Sequence, residues 1–365
     1  MDNTGIYTGS PVYRDLAKEL RKSIEKGHHT PGERVASEHE LARQHNLARN
    51  TVRMATELLV TEGLLERRPG KGLYVREKST STGVLKIMVG NLAWEPSVRI
   101  VRGAQQVARE RGFDVQVCDA HGDQSQDVES VARLPNNGTA GAIIVSVNSP
   151  AFLTAVGRLG ATGFPFVLVD EHGGRNANVP SVAADNYQGG FMAGTRIMEA
   201  GHRVAAFIGD AAASTVTGRL NGFRDALAEF GVALPRGLTR DIVAVDPFAD
   251  WGELVQKECQ VLLRMERRPT AIFCSCDAIA RVCYRCCAEA RVSIPEEMSV
   301  VGFDDDPMAE WLSPGLTTVR QPFADMGACA MRTLAGLLSG EASGGHQALP
   351  VEFIERGSLG KPAGK

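Results

Sequence analysis

Two groups of residues in this sequence have types and spacings that can do chemistry. The first lies in residues 37–53, SEHELARQHNLARNTVR. Ser37 followed by Glu40 is a capping box, which starts a helix. Leu41 and Ala42 give that helix an apolar side, and Asn46-Leu47-Ala48 breaks it after two turns. A second helix begins near Arg49, with Val52, Ala55 and Leu59 at three- and four-residue steps on the face to be buried. Arg49, Asn50, Thr51 and Arg53 sit at its amino-terminal end, the two arginines and Asn50 off the apolar face. Two short helices around a three-residue turn make a helix-turn-helix, whose second helix offers its first residues to base edges in the major groove. Arg suits guanine and Asn suits adenine, each through paired hydrogen bonds. The plainer reading is a small helical core with solvated arginines.

The residues that follow favour DNA. Leu64–Arg68 reads as a strand, Pro69-Gly70-Lys71-Gly72 as a tight turn and Leu73–Val75 as the returning strand. A basic hairpin after a helix-turn-helix is a wing, able to rest on phosphates or enter the minor groove. The wording GERxxSExELA, RNTVR and TEGLLERRPGKG, over about Val12 to Val75, resembles the winged-helix domain of the GntR family of bacterial transcription regulators. The resemblance implies that Ser37, His39, Arg49, Asn50, Thr51 and Arg53 face operator DNA, with Lys71 and Gly72 at the wing tip. His39 stands where that family usually has Arg, and Ala48 where Ser or Thr caps the recognition helix, so that cap is missing.

These elements must be carried by a larger frame. The chain has 365 residues and 43% hydrophobic content, enough for two or three domains with sizeable cores. Its net charge of −3 hides an asymmetry. Residues 1–78 hold 14 Lys and Arg against 11 Asp and Glu, and the remainder 26 against 32. The basic part is the DNA-reading part, but its excess is small, so affinity calls for two copies and a homodimer. Residues 1–10 read as a polar tail without a signal-peptide core, and no apolar run is long enough to span a bilayer. A cytoplasmic location without membrane contact is expected, and the eight Cys then imply thiols rather than disulfides. The boundaries expected are a tail at 1–10, a winged helix at 11–77, a linker at 78–83 and an effector domain at 84–360.

After Val84 short apolar runs alternate with amphipathic stretches. The runs are Leu85–Gly90, Val115–Cys118, Ala142–Val147, Phe166–Val169, Val204–Ile208, Ile242–Val245, Ala271–Cys274 and Val300–Phe303. Such alternation predicts α/β architecture with parallel sheets covered by helices on both faces, and about 280 residues call for two lobes. Asp185–Gly190, Gly201-His202, Arg219–Phe223, Thr270–Cys274, Ile294-Pro295, Ser299–Asp305 and Leu316–Pro322 follow in an order that resembles the effector domain of the LacI/GalR family, itself similar to periplasmic sugar-binding proteins. The resemblance implies three crossings between lobes, near Asp185, Arg320 and Pro350. Lobe 1 then comprises about 84–185 and 321–349, and lobe 2 about 186–320 and 350–360. A GntR-type head on a LacI-type sensor is similar to the arabinose-repressor type of regulator.

The second chemical group follows from that frame. Ligands of open α/β sheets bind beyond the carboxyl ends of the strands, and two facing lobes place both sets of ends in one cleft. Asn91 to Glu95, Asp170, Cys276 and Asp304 lie at such ends, while Arg219 reads as beginning a helix elsewhere in lobe 2. Asp and Arg can share the donors and acceptors of a polyol, with Trp94, Trp251 or Phe323 over its apolar face. The resemblance places Asp170, Arg219, Asp304 and Phe323 in the effector pocket, with Trp94 and Cys276 beside them. Cys276 stands where the family usually has a sugar-binding Asn, and a thiol replaces it poorly.

Other chemistry competes. Cys274, Cys276, Cys283, Cys286 and Cys287 form a local cluster, read either as a metal or thiol sensor or as small apolar side chains between a strand and a helix. No Gly-x-Ser-x-Gly elbow, His-Glu-x-x-His or Walker loop appears, so enzymatic activity and a catalytic cofactor are not expected. Gly201-His202 reads as a turn rather than a catalytic base. A transport-type binding protein shares the sensor fold but would not carry residues 12–75. The resulting expectation is a ligand-responsive repressor that partners pseudo-palindromic operator DNA and a small carbohydrate effector.

Overall fold

The computed structural model describes residues 12–25, 28–30, 32–61, 64–68, 72–75, 84–145, 149–170, 179–210, 213–242, 252–341 and 345–363. Lys71, Trp251, the 1–10 tail and the 78–83 linker lie outside the described residues. The chain divides into two compact units, residues 1–83 with 158–164, and residues 84–157 with 165–365.

In the first unit α1 (Val12–Glu25), α2 (Glu38–Gln44) and α3 (Arg49–Thr61) precede a hairpin of β1 (Leu65–Arg68) and β2 (Gly72–Val75). Leu16, Ala17 and Leu20 of α1 meet Leu41, Val52, Ala55 and Leu59, and Leu65, Leu73 and Val75 close the core from the hairpin. Val12, the first residue of the apolar stripe on α1, is instead exposed. The capping box is present: Glu40 N–H donates to Ser37 Oγ, and Ser37 N–H donates to Glu40 Oε2 at 2.7 Å. The hairpin pairs antiparallel, and Arg34 bridges to Tyr74.

The second unit holds two six-stranded sheets. The first lobe runs β3 (Leu85–Val89), α4 (Glu95–Glu110), β4 (Val115–Asp119), α5 (Gln124–Arg133), β5 (Gly141–Val145), α6 (Pro150–Ala161), β6 (Phe166–Val169) and β7 (Ser181–Ala184). The second runs α7 (Asn186–Glu199), β8 (Ala205–Gly209), α8 (Ser214–Glu229), β9 (Thr239–Asp241), α9 (Gly252–Leu263), β10 (Ala271–Cys274), α10 (Asp277–Glu289), β11 (Ser299–Asp304) and β12 (Thr317–Arg320). The chain then returns for α11 (Phe323–Ser339) and β13 (His346–Leu349) and ends on β14 (Glu352–Ile354). Sheet orders are β13-β7-β6-β5-β3-β4 and β14-β12-β11-β10-β8-β9. All pairings are parallel except β14 on β12, so the second sheet carries one antiparallel edge. The chain thus passes between sheets at Asp185, at Gln321-Pro322 and at Pro350-Val351. Of the run at Ile242–Val245 only Ile242 is described, directly after β9 (Thr239–Asp241); residues 243–245 lie outside the described residues.

Strands β5, β6, β8 and β10 are buried at every residue, because helices cover both sheet faces. Two helix pairs approach closely through glycine. A Cβ on Gly190 of α7 would collide with the Arg219 carbonyl of α8, and one on Gly103 of α4 with the Ala324 carbonyl of α11. These contacts seat Arg219 and Phe323 relative to the sheets. The Gly201-His202 turn is more than a connection. Gly201 has φ +104°, and His202 is fully buried, its ring bonding Thr270 Oγ1 at 2.8 Å and the Gly360 carbonyl at 2.9 Å. It ties the carboxyl-terminal segment to the second lobe.

Gly190→Ala is expected to cost about 1–3 kcal/mol or more by overpacking. Gly237→Ala, with nothing near its missing Cβ, should lie close to wild type. Urea denaturation of both variants checks this, and wild-type stability for Gly190→Ala would contradict the close approach.

Candidate functional site

In the first unit the burial of Val52, Ala55 and Leu59 turns the other face of α3 to solvent. Arg49, Asn50 and Arg53 are exposed there, Thr51 is half-buried, and His39 is exposed on α2. Ser37 serves α2 as its cap. Arg53 is not free: its Nε donates to Glu57 Oε1 at 2.9 Å, one turn along the helix. Arg67 on β1 pairs with Glu38 on α2 at 2.7 Å, linking hairpin to helix-turn-helix. Gly72 has φ +110° and lies against the Arg34 guanidinium, so its turn position needs glycine. Arg34 and Arg67 are two positions that pattern reasoning passed over, although both lie in the quoted motifs.

In the second unit the carboxyl ends of β6, β10 and β11 converge. Asp170 follows β6 with φ 62°, Asp304 ends β11 with φ 121°, and Asp305 follows it with φ 55°. Positive φ at three aspartates is a strained backbone gathered at one place. Arg219 does not begin a helix elsewhere in the lobe. It lies in the second turn of α8, 4% exposed, within this same group. Its Nε donates to Asn186 Oδ1 at 2.7 Å and its Nη1 to the Ser275 carbonyl at 2.6 Å. Its guanidinium stacks over the Phe303 ring at 3.9 Å, and Nη1 lies 3.9 Å from Asp304 Oδ1. Asp304 Oδ1 also accepts from Gln321 Nε2 at 2.7 Å.

Burial pushes the Asp304 carboxyl up to about 7, with Arg219 and Gln321 opposing and Asp170 and Asp306 adding. Asp170 belongs to the first lobe and Asp304 to the second, and the charge of Asp170 adds to the rise at Asp304. Asp277 beneath is raised by burial and then by Asp304. It accepts from Thr318 Oγ1 at 2.6 Å and from Asp306 N–H at 2.8 Å.

Cys276 is not on the strand face with Cys274. Strand β10 ends at Cys274, and Cys276 is the N-cap of α10 with no side-chain cap bond. Burial and then Asp304 push its thiol up to about 12. Phe323 opens α11 but is 2% exposed in the first lobe's core, with the Arg99 guanidinium 5.3 Å over its ring. It therefore offers no open face to a ligand in this arrangement. Trp94 precedes α4 and is 39% exposed. Asn186 and Gln321, which hold Arg219 and Asp304, were not singled out from the sequence. Both stand inside quoted motifs at lobe crossings, and that position was the available signal.

Cys259, Cys274, Cys283, Cys286 and Cys287 are all buried in the second lobe's core, with Cys274 and Cys283 sulfurs 3.7 Å apart. Burial raises the Cys274 thiol. Among the described residues no group of three or more His, Cys, Asp or Glu stands where it could hold a metal ion. The cluster packs a strand against two helices.

Residues 12–75 match the gntR family of bacterial regulatory proteins, and residues 195–359 match the periplasmic binding protein-like domain. The chain is 28% identical over 337 residues to the arabinose metabolism transcriptional repressor of Geobacillus stearothermophilus, covering 90% of this chain and 91% of that one. It is 28% identical to the ribose operon repressor of Haemophilus influenzae, covering 78% and 80%. Among solved structures, a LacI family transcriptional regulator from Enterococcus faecium with bound ribose matches with TM-score 0.64 and 25% identity over 76% of this chain and 99% of that one. A CelR–cellobiose complex matches in fold with TM-score 0.68 and 23% identity over 89% and 100%. The chain is thus a transcriptional regulator that joins a winged helix matching the gntR family of bacterial regulatory proteins to a periplasmic-binding-protein-like domain.

Proposed function

We propose that this regulator is a repressor acting in the bacterial cytoplasm as a homodimer, and that a small uncharged carbohydrate held between its lobes alters operator binding. The relatives that are repressors, and the ribose and cellobiose in the structural neighbours, support the ligand class. The observation that carries it is the strand-end group itself. Asp304 supplies an acceptor, and Arg219 is fixed in place by Asn186 and Ser275. Gln321 is 1% exposed, and its Oε1 has no hydrogen-bond partner among the described residues. A buried acceptor without a donor is costly, and a ligand hydroxyl removes that cost. Acceptors outnumber free donors here, which favours a polyol over a phosphate anion. On the DNA side Arg49 and Asn50 read base edges, and Arg53 joins them by exchanging Glu57 for DNA. Lys71 and Gly72 approach the backbone from the wing. Two copies reach a pseudo-palindrome, and phosphate neutralisation makes binding salt-dependent. Lobe closure around the ligand shifts the dimer only by the ligand's differential affinity for the two arrangements.

Arg49→Ala should weaken binding to an operator selected from a random duplex library by about 1–3 kcal/mol, roughly tenfold to a hundredfold. Fluorescence anisotropy measures it, and unchanged affinity would remove α3 from the groove. Arg219→Ala should keep operator binding yet lose the response to the sugar that stabilises wild type in a thermal-shift screen of pentoses, hexoses and their phosphates. A retained response, or a phosphate as the sole hit, would count against this cleft. The raised Asp304 carboxyl gives a pH test. The folded chain binds the extra proton between the ordinary value of 3.8 and about 7, so this group's contribution to stability falls as pH rises through that window. Wild type should therefore lose stability relative to Asp304→Asn between about pH 4 and about pH 7, and parallel curves would contradict the burial of that charge.

A further inference from the structure

The two lobes touch next to the strand-end group, at Asp305, the residue after β11. Arg99, in the second turn of α4, donates from Nη1 to the backbone carbonyl of Asp305 at 3.3 Å. The same side chain lies 3.8 Å from Glu95 on its own helix and over the Phe323 ring at the start of α11. Both of those are first-lobe elements, so the guanidinium is braced on one side and reaches to the other.

Its acceptor is held with equal firmness. The Asp305 carboxylate takes Arg320 Nε at 2.7 Å and Arg356 Nη2 at 2.7 Å. Arg320 is the last residue before the second crossing, and Arg356 follows the third. Arg356 also donates to the Leu316 carbonyl, and Arg320 to Glu352. Burial would raise the Asp305 carboxyl, but these two arginines hold it below the ordinary value. Asp305 thus turns its side chain into the second lobe and its carbonyl to the first, through a residue with φ 55°. Such a conformation persists only where surrounding contacts over-determine it. Burial raises the Glu95 carboxyl, with Arg99 and Arg102 opposing and Asp306 of the other lobe adding.

On the reading of this unit as a closing sensor, we propose that Arg99 is its interlobe latch, a positioning residue that holds the lobes together through the Asp305 carbonyl without belonging to the ligand's own contacts. The latch ties α4 directly to the residue on which the arginines flanking two crossings converge, so opening the cleft breaks one bond and unloads the strained end of β11. Ligand binding is then weighed against a closure that the chain already favours.

Hydrogen–deuterium exchange of the full chain without any ligand tests this, so the outcome is independent of whether the effector is a sugar. Arg99→Ala should speed exchange in the peptides spanning residues 94–101 and 303–307 by roughly fivefold to tenfold, with α7 and α8 unchanged. Arg99→Lys keeps a cation and a donor and should recover most of the protection. Wild-type exchange in Arg99→Ala would overturn the latch. Faster exchange throughout the second unit, or no recovery by Arg99→Lys, would overturn it too, the first by showing a general packing role and the second by showing that the donor is not what matters.

Discussion

A guanidinium buried to 4% exposure is the constraint around which the effector unit is built. Taking an ion from water costs several kcal/mol, and only partners for its N–H groups offset this. Arg219 has an amide oxygen, a backbone carbonyl, an aromatic face and a nearby carboxylate, drawn from three elements: α7, the turn after β10 and, for the last two, the end of β11. Satisfying one side chain therefore fixes where the helix after the first crossing, the Ser275 turn and the Asp304 turn must lie. The same requirement explains Gly190. The backbones of α7 and α8 must nearly touch for Asn186 to reach Arg219.

The site inherits its electrostatics from this arrangement. One fixed cation faces Asp304, with Asp170, Asp277 and Asp306 close by, so carboxylates are in excess and two of them are pushed upward. Such a charge balance favours a neutral ligand rich in hydroxyl groups over an anion, which would add to the repulsion. Nothing in the group is a nucleophile beside a base. Even the thiol at Cys276 is pushed away from its reactive form.

Much of the architecture was legible because strands of parallel sheets, buried on both faces, read as unbroken apolar runs. Leu85–Val89 and Phe166–Val169 are of that kind. Strands at the sheet margins lack the signal. Ser181–Ala184 is made of small residues, Thr317–Arg320 has a single apolar residue, Val319, and His346–Leu349 is largely exposed. In the site, Asp304 could be placed because it ends β11, whereas Cys276 lies two residues past the end of β10 as the N-cap of α10. Arg219 was assigned to the pocket through its motif but not to its true setting, since helical spacing gave no hint of a buried cation. Asn186 and Gln321 were invisible for a further reason. Each acts on another side chain brought near only by the lobe crossings, and no local pattern encodes that.

The most direct measurement is a crystal structure of the full chain with the sugar that stabilises it most. The account predicts ligand density between Asp170 of the first lobe and Asp304 and Gln321 of the second, with a hydroxyl donating to Gln321 Oε1. Density outside the cleft, or against the cysteines of the second lobe's core, would contradict it.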